Sequence, residues 1–209
     1  MKKNIAIQIE ESVNVIDSLN HGLRLTPEEK LFFQEHYECV ELNKNDFIIK
    51  AGEKEKYVYF IEEGILRYWL LDYEEREVTF WFSFEGEFAN SYSSLQHNEP
   101  SSFNIQALCH TTIWKLELSQ ISYLYEHSLN ANKIARIVLE DAFTRKINRE
   151  ICLLKQSPEE RYKDLLRREK YLIHDIPLKY IASYLGITPQ TLSRIRKQLL
   201  RKDNEIIHE

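Results

Sequence analysis

Gln190, Arg194 and Lys197 follow one another at steps of four and three, a spacing that places them on one face of a helix. Those side chains suit the edges and backbone of duplex DNA. A glutamine amide can pair with adenine N6 and N7, and a guanidinium can pair with guanine O6 and N7. Thr188, Thr191, Ser193, Arg196 and Lys197 are suited to phosphate oxygens, contacts that set affinity and register rather than base choice. With Pro189, which opens the same helix, the expected DNA-binding set is Thr188, Pro189, Gln190, Thr191, Ser193, Arg194 and Lys197.

Such a set needs a rigid mount, and the flanking residues predict one. A first helix ends at Leu185, Gly186 supplies the left-handed residue that closes it, and Thr188 and Pro189 cap and begin a second helix. Ala182 is small where two helices must cross closely, and Ile181, Leu185, Leu192, Ile195 and Leu199 are spaced to be buried between them. Every local choice agrees with a helix-turn-helix. Charge points the same way. The 209 residues carry a net charge of −5, but residues 155–209 hold 12 Lys+Arg against 8 Asp+Glu, leaving 16 against 25 in residues 1–154. An acidic body with a basic C-terminal segment places a polyanion partner at that end.

Other chemistries find little material. Cys39, Cys109 and Cys152 are far apart with no Cys-x-x-Cys pair, and are expected to be buried reduced thiols. The seven histidines, His21, His36, His97, His110, His127, His174 and His208, include no His-x-His pair, so no metal site is expected. No paired carboxylates or nucleophile–base set can be assembled, and the chain is not read as an enzyme. There is no apolar run of 18 residues and no apolar signal segment at the N-terminus, so a cytoplasmic location with no membrane association is expected.

Upstream, Thr26-Pro27-Glu28-Glu29 signals a helix start with a capping box. From about Asp46 to Leu118, at least six short runs rich in β-branched and aromatic residues are divided by turns such as Ala51-Gly52-Glu53-Lys54 and Glu62-Glu63-Gly64. They predict an antiparallel β-roll or sandwich. From about Leu129 to Lys155, Gly and Pro are absent and apolar residues recur at helical spacing. One stripe runs Leu139, Phe143, Ile147, Ile151 and Leu154, and a second runs Ile134, Val138 and Ala142. The apolar surface is wider than one packing partner needs, which favours a dimerisation helix carrying Ile134, Val138, Ala142, Ile147 and Ile151. Packing on its own β-domain alone is the alternative. Ser157-Pro158-Glu159-Glu160 opens a further helix, and its Ser-Pro break marks a boundary.

A β-roll, a long helix, Ser-Pro-Glu-Glu-Arg-Tyr and then this helix-turn-helix is an order that resembles the Crp/Fnr transcription regulators over nearly the whole chain. The resemblance implies an α+β chain. Its N-terminal antiparallel β-roll (jelly-roll, cyclic-nucleotide-binding-like) would be followed by a long dimerisation helix and a C-terminal winged helix-turn-helix. The expected segments are a β-roll sensor at 1–128, the long helix and hinge at 129–156, and the DNA-binding domain at 157–209. Implied partners are double-stranded DNA and a second copy of the chain, with RNA polymerase and a small-molecule effector as further ones.

Members of that family that bind cyclic nucleotides carry a Gly-Glu pair and an Arg-Ser pair in a phosphate-binding cassette. Here Asn90-Ser91 falls where Gly-Glu belongs and Ser101 where Arg belongs, Ser102 following it. An anionic phosphate in a partly buried pocket needs a fixed cation, which serine does not supply, so cyclic AMP is not expected as effector and no cofactor is assigned. Glu87, Phe88, Asn90, Ser91, Ser101 and Ser102 are the candidate effector-pocket residues. The leading reading is a sequence-specific regulator acting as a homodimer on a pseudo-palindromic operator. Its rival is a small-molecule-sensing β-roll protein with an unidentified effector. Aromatic residues between Tyr57 and Tyr92 could line an apolar ligand pocket, though core packing is their ordinary use.

Overall fold

The computed structural model describes residues 5–16, 24–168 and 176–206, so His21, His174 and His208 lie outside the described residues. Two helices come first, α1 (Ile5–Ile16) and α2 (Pro27–His36). Strands β1 (Glu38–Leu42), β2 (Phe47–Ile49), β3 (Tyr57–Glu63), β4 (Ile65–Leu71), β5 (Glu77–Phe84) and β6 (Phe88–Ala89) precede a short helix α3 (Tyr92–His97). Strands β7 (Asn104–Ala107) and β8 (Thr111–Glu117) complete the β region, and helices α4 (Leu118–His127) and α5 (Leu129–Lys155) follow. Helices α6 (Pro158–Arg168), α7 (Leu178–Tyr184) and α8 (Pro189–Ile206) end the chain.

The strands form two four-stranded sheets in the orders β1-β8-β3-β6 and β2-β7-β4-β5, and every pairing with a resolved register is antiparallel. This is the expected α+β roll. Strand β7 shows the half-buried alternation of such a sheet, with Ile105 and Ala107 buried between half-buried Asn104 and Gln106. Strand β3 departs from it, since Tyr59, Phe60 and Ile61 are buried in succession. Both faces of β3 are covered. Tyr59 turns its hydroxyl toward Glu55, while Phe60 joins a core cluster with Phe33, Leu116, Leu124 and Ile134 from the strand β8 and the helices. The cap expected at Thr26 is formed: its hydroxyl accepts the Glu29 N–H at 3.2 Å, and Glu29 accepts the Thr26 N–H at 2.8 Å. Glu29 also accepts hydrogen bonds from Ser128 and Asn130, which ties α2 to the start of α5.

By compactness the chain divides into two units, one of residues 1–68 and 82–145, the other of residues 69–81 and 146–209. The division falls inside α5 rather than at its ends, and the second unit includes the tip of the β4–β5 hairpin, whose Thr79 N–H donates to the Ser183 hydroxyl at 2.9 Å. Along α5, Ile134 is buried in the first unit's own core and Val138 packs against that core. Of the five residues assigned to a dimer face, Ile134 is therefore taken up by the chain's own core and half-buried Val138 packs against it, because the first three turns of the helix lie toward α4 and β8. Ala142 is half-buried, and Ile147 and Ile151 are exposed, as are Leu139, Phe143 and Leu154. The first apolar stripe is thus the outward one.

The cysteines also differ from expectation. All three lie outside any disulfide and are half-buried rather than buried, Cys39 because it lies on the edge strand β1. A wing beside the helix-turn-helix would require a strand pair. The described residues between 129 and 206 contain none, and 169–175 lie outside them.

Two glycines are required for different reasons. Gly186 has φ +68°, and a Cβ there would meet only Leu153 Cδ2 at 3.6 Å, an ordinary contact. Gly64 has φ +111°, and its Cβ would lie 2.8 Å from the Thr111 backbone. Gly186→Ala is expected to lower stability by about 1–2 kcal/mol, the cost of a left-handed residue alone. Gly64→Ala is expected to cost more, because β8 would have to move. Urea titration of both variants checks the order, and equal losses would refute the distinction.

Candidate nucleic-acid interface and effector region

The second unit builds its exposed polar face from the turn outward. Helix α7 closes with the Ile187 N–H donating to the Ala182 carbonyl and the Gly186 N–H to that of Ser183, both at 3.0 Å. That pattern uses the left-handed Gly186 to satisfy carbonyls a helix end leaves open. Two guanidinium groups take the next ones: Arg149 donates to the Tyr184 carbonyl and Arg161 to that of Leu185, each at 3.0 Å. Arg149 also stacks over the Tyr184 ring at 4.6 Å. Cations belong at a helix C-terminus, where the aligned peptide dipoles leave negative charge.

Helix α8 then starts as expected. The Thr188 hydroxyl accepts the Thr191 N–H at 3.2 Å and the Thr188 carbonyl accepts the Leu192 N–H at 3.1 Å. Ala182 and Leu192 are fully buried where α7 and α8 cross, joined by Ile181, Leu185 and Ile195, while Leu199 is only half-buried near the end. The opposite face carries Gln190, Arg194 and Lys197, all exposed. Pro189, Gln190, Ser193, Arg194 and Lys197 line one open concavity together with Gln198. Gln198 was not anticipated, although its step of four from Arg194 was a signal. Thr188 and Thr191 turn their hydroxyls to each other at 3.0 Å, so both serve the cap first. The capping role of Arg149 and Arg161 left no mark in the local pattern, because their carbonyl partners lie 35 and 24 residues away.

In the first unit the six candidate effector residues make different contacts. Ser91 and Ser101 are buried and meet directly, hydroxyl to hydroxyl at 2.9 Å, and Ser101 also donates to the Phe103 carbonyl at 2.7 Å. The Ser91 N–H donates to Glu55, a buried carboxyl that also accepts the N–H groups of Lys56 and Tyr57 and the Tyr59 hydroxyl. Burial pushes the Glu55 carboxyl above its ordinary range, with those four donors pulling the other way. Whether ionised or protonated, Glu55 supplies no positive charge. Glu87 is turned to α5, where Arg145 pairs with it at 2.5 Å and with Asp141 at 2.8 Å. Phe88 and Asn90 line a different, apolar cavity, and Ser102 is exposed. Among the described residues no cluster of three or more His, Cys, Asp or Glu side chains could hold a metal ion. No helix among them is long and apolar enough to cross a membrane.

Comparison with known proteins gives the geometry a context. Residues 39–128 match the cyclic nucleotide-binding domain family. No curated protein sequence matches the chain. Solved structures with the same fold include FixK2 of Bradyrhizobium japonicum, 19% identical with TM-score 0.68, matched over 80% of this chain and 86% of that one. A regulator of the Crp/Fnr family from Eubacterium rectale is 16% identical with TM-score 0.68, over 85% of each chain. The c-di-GMP responsive global regulator CLP of Xanthomonas campestris is 13% identical with TM-score 0.66, over 83% of this chain and 91% of that one. The chain thus combines a segment, residues 39–128, similar to the cyclic nucleotide-binding domain family with an overall fold shared with solved Crp/Fnr regulators.

Proposed function

We propose that this chain is a sequence-specific, DNA-binding transcription regulator of the Crp/Fnr type, working in the cytoplasm as a homodimer on a pseudo-palindromic operator. The observation that carries this reading is the free face of α8. Gln190, Arg194 and Lys197 stand exposed on a helix whose other face is locked by Leu192 and Ile195, over a turn closed by Gly186. A recognition helix needs that combination of fixed mount and open polar face. Gln190 and Arg194 read base edges, Lys197 and Ser193 hold phosphate, and Thr188, Pro189 and Thr191 set where the helix begins. The fold shared with Crp/Fnr regulators supports the assignment, and in this reading the chain has no catalytic role. RNA polymerase as a further partner rests on that likeness alone. By function we divide the chain into a β-roll at 1–128, a dimerisation helix and hinge at 129–156, and a DNA-binding segment at 157–209.

The homodimer is supported by exposed Leu139, Phe143, Ile147, Ile151 and Leu154 on α5. Apolar residues recurring at that spacing along a 27-residue helix fit a second copy of the same helix. Cyclic AMP is not the effector in this reading. The support is Ser101 in place of a phosphate-binding arginine, with its hydroxyl already engaged by Ser91 and the buried acid of Glu55 one residue contact away.

Selection from random duplexes at a fixed salt concentration is expected to return a symmetric site with half-site centres about 34 Å apart. Selection of no symmetric site would overturn the assignment. Arg194→Ala is expected to cost about 1–3 kcal/mol and to relax choice at one base pair, whereas Lys197→Ala should weaken all sites alike and lower the salt slope by about 1. Sedimentation tests the dimer: Phe143→Glu combined with Ile147→Glu should give a monomer, and a dimer that survives both would place the interface elsewhere. Calorimetric titration with cyclic AMP is expected to give no binding heat, and a saturating isotherm would refute that part of the proposal.

A further inference from the structure

The first unit contains a second cavity, of about 120 Å³, distinct from the Ser91–Ser101 region. It lies where α1, α2, α4 and α5 cover the outer face of β3 and β8, and Ile9, Phe33, Leu116, Leu124 and Ile134 give it a hydrocarbon wall. One water needs roughly 10–15 Å³ and several polar partners, so the volume is ample for water but the wall offers it little. Among the described residues, neither Lys, Arg, His, Asp nor Glu lines it. A charged occupant would have no counter-ion there.

One polar group stands out. Tyr37 lines this cavity and is only 8% exposed, yet its hydroxyl has no hydrogen-bond partner among the described residues. The two other deeply buried tyrosines of the unit are served, Tyr59 by Glu55 and Tyr68 by Ser83. Burial pushes the Tyr37 hydroxyl far above its ordinary value, so it remains a proton donor across the whole neutral range. A phenol hydroxyl open to a cavity can donate to an acceptor that a ligand brings. The Phe33 ring meets the Tyr37 ring edge-on at 5.6 Å, and Phe88, Tyr92 and Tyr125 add aromatic faces around the opening. Aromatic walls favour an aromatic occupant through offset and edge-to-face contacts.

We propose that this cavity is a binding site for a small uncharged aromatic molecule that carries one acceptor oxygen, which takes its hydrogen bond from Tyr37. The proposal does not rest on DNA binding. It assigns the site to the layer between helices and sheet, and leaves the interior of the roll without a role in it. Ala135 and Val138 of α5 form part of the wall, so an occupant would pack directly on that helix.

Acetophenone, toluene and benzoate serve as probes, titrated into the full chain by calorimetry and by ligand-observed NMR. Acetophenone is expected to bind saturably at one site per chain. Tyr37→Phe, which removes one oxygen and keeps the ring, should weaken acetophenone about three- to tenfold, the range of one hydrogen bond, and leave toluene unchanged. Benzoate should bind more weakly than acetophenone. Ala135→Phe, which fills the cavity, should abolish binding of both neutral probes. Absence of saturable acetophenone binding up to its solubility would overturn the proposal, as would an affinity indifferent to Tyr37→Phe. Should Ala135→Phe fail to fold, the Tyr37→Phe comparison still decides, because that variant leaves the packing intact.

Discussion

The end of α7 is where the second unit is held together. A helix leaves its last carbonyls without partners, and in a crossing as close as that of Ala182 with Leu192 they cannot simply be left to water. Here they are distributed. The carbonyls of Ala182 and Ser183 go to the turn, and those of Tyr184 and Leu185 go to Arg149 and Arg161. Arg161 also donates to the Gln156 carbonyl at 2.7 Å, so one guanidinium joins the end of α5, the start of α6 and the end of α7. The direction of α8 follows from that junction, and with it the direction in which Gln190 and Arg194 point. These arginines touch no base in the proposed function, yet base reading depends on them.

How much of this was legible in the sequence varied with the range of the interaction. The caps at Thr26, Ser157 and Thr188 are written in four residues each, and all three form as read. The burial of Ile181, Leu185, Leu192 and Ile195 follows from helical spacing and was equally plain. The arginine contacts to α7 span 24 and 35 residues, and no spacing rule reaches that far. On α5 the periodicity announced two apolar stripes but could not say which was already occupied. Only the position of α4 and β8 shows that Ile134 and Val138 face inward.

In the effector region, residues adjacent in the chain have different surroundings. Asn90 and Ser91 are neighbours just beyond β6. Ser91 meets Ser101 and Glu55, while Asn90 lines the apolar cavity. Glu87 and Phe88 part in the same manner, one to Arg145 and one to the aromatic cavity. Glu55 escaped notice because nothing in Glu53-Lys54-Glu55-Lys56 distinguishes a buried acid from the exposed ones beside it.

The polar economy of the roll then bears on what it can sense. A buried site that binds an anion keeps donors waiting for it, but here the nearby donors are spent. The amides of Lys56, Tyr57 and Ser91 and the hydroxyl of Tyr59 are directed at Glu55, and the Ser91 and Ser101 hydroxyls are directed at each other and at Phe103. An incoming phosphate would have to take donors from a carboxyl that burial has already made costly, and the exchange would bring two acids together in a region of low dielectric. An uncharged ligand faces no such penalty. Tyr37, at the apolar cavity, has no hydrogen-bond partner among the described residues, and the proposed neutral ligand would meet no charged side chain among the described lining residues.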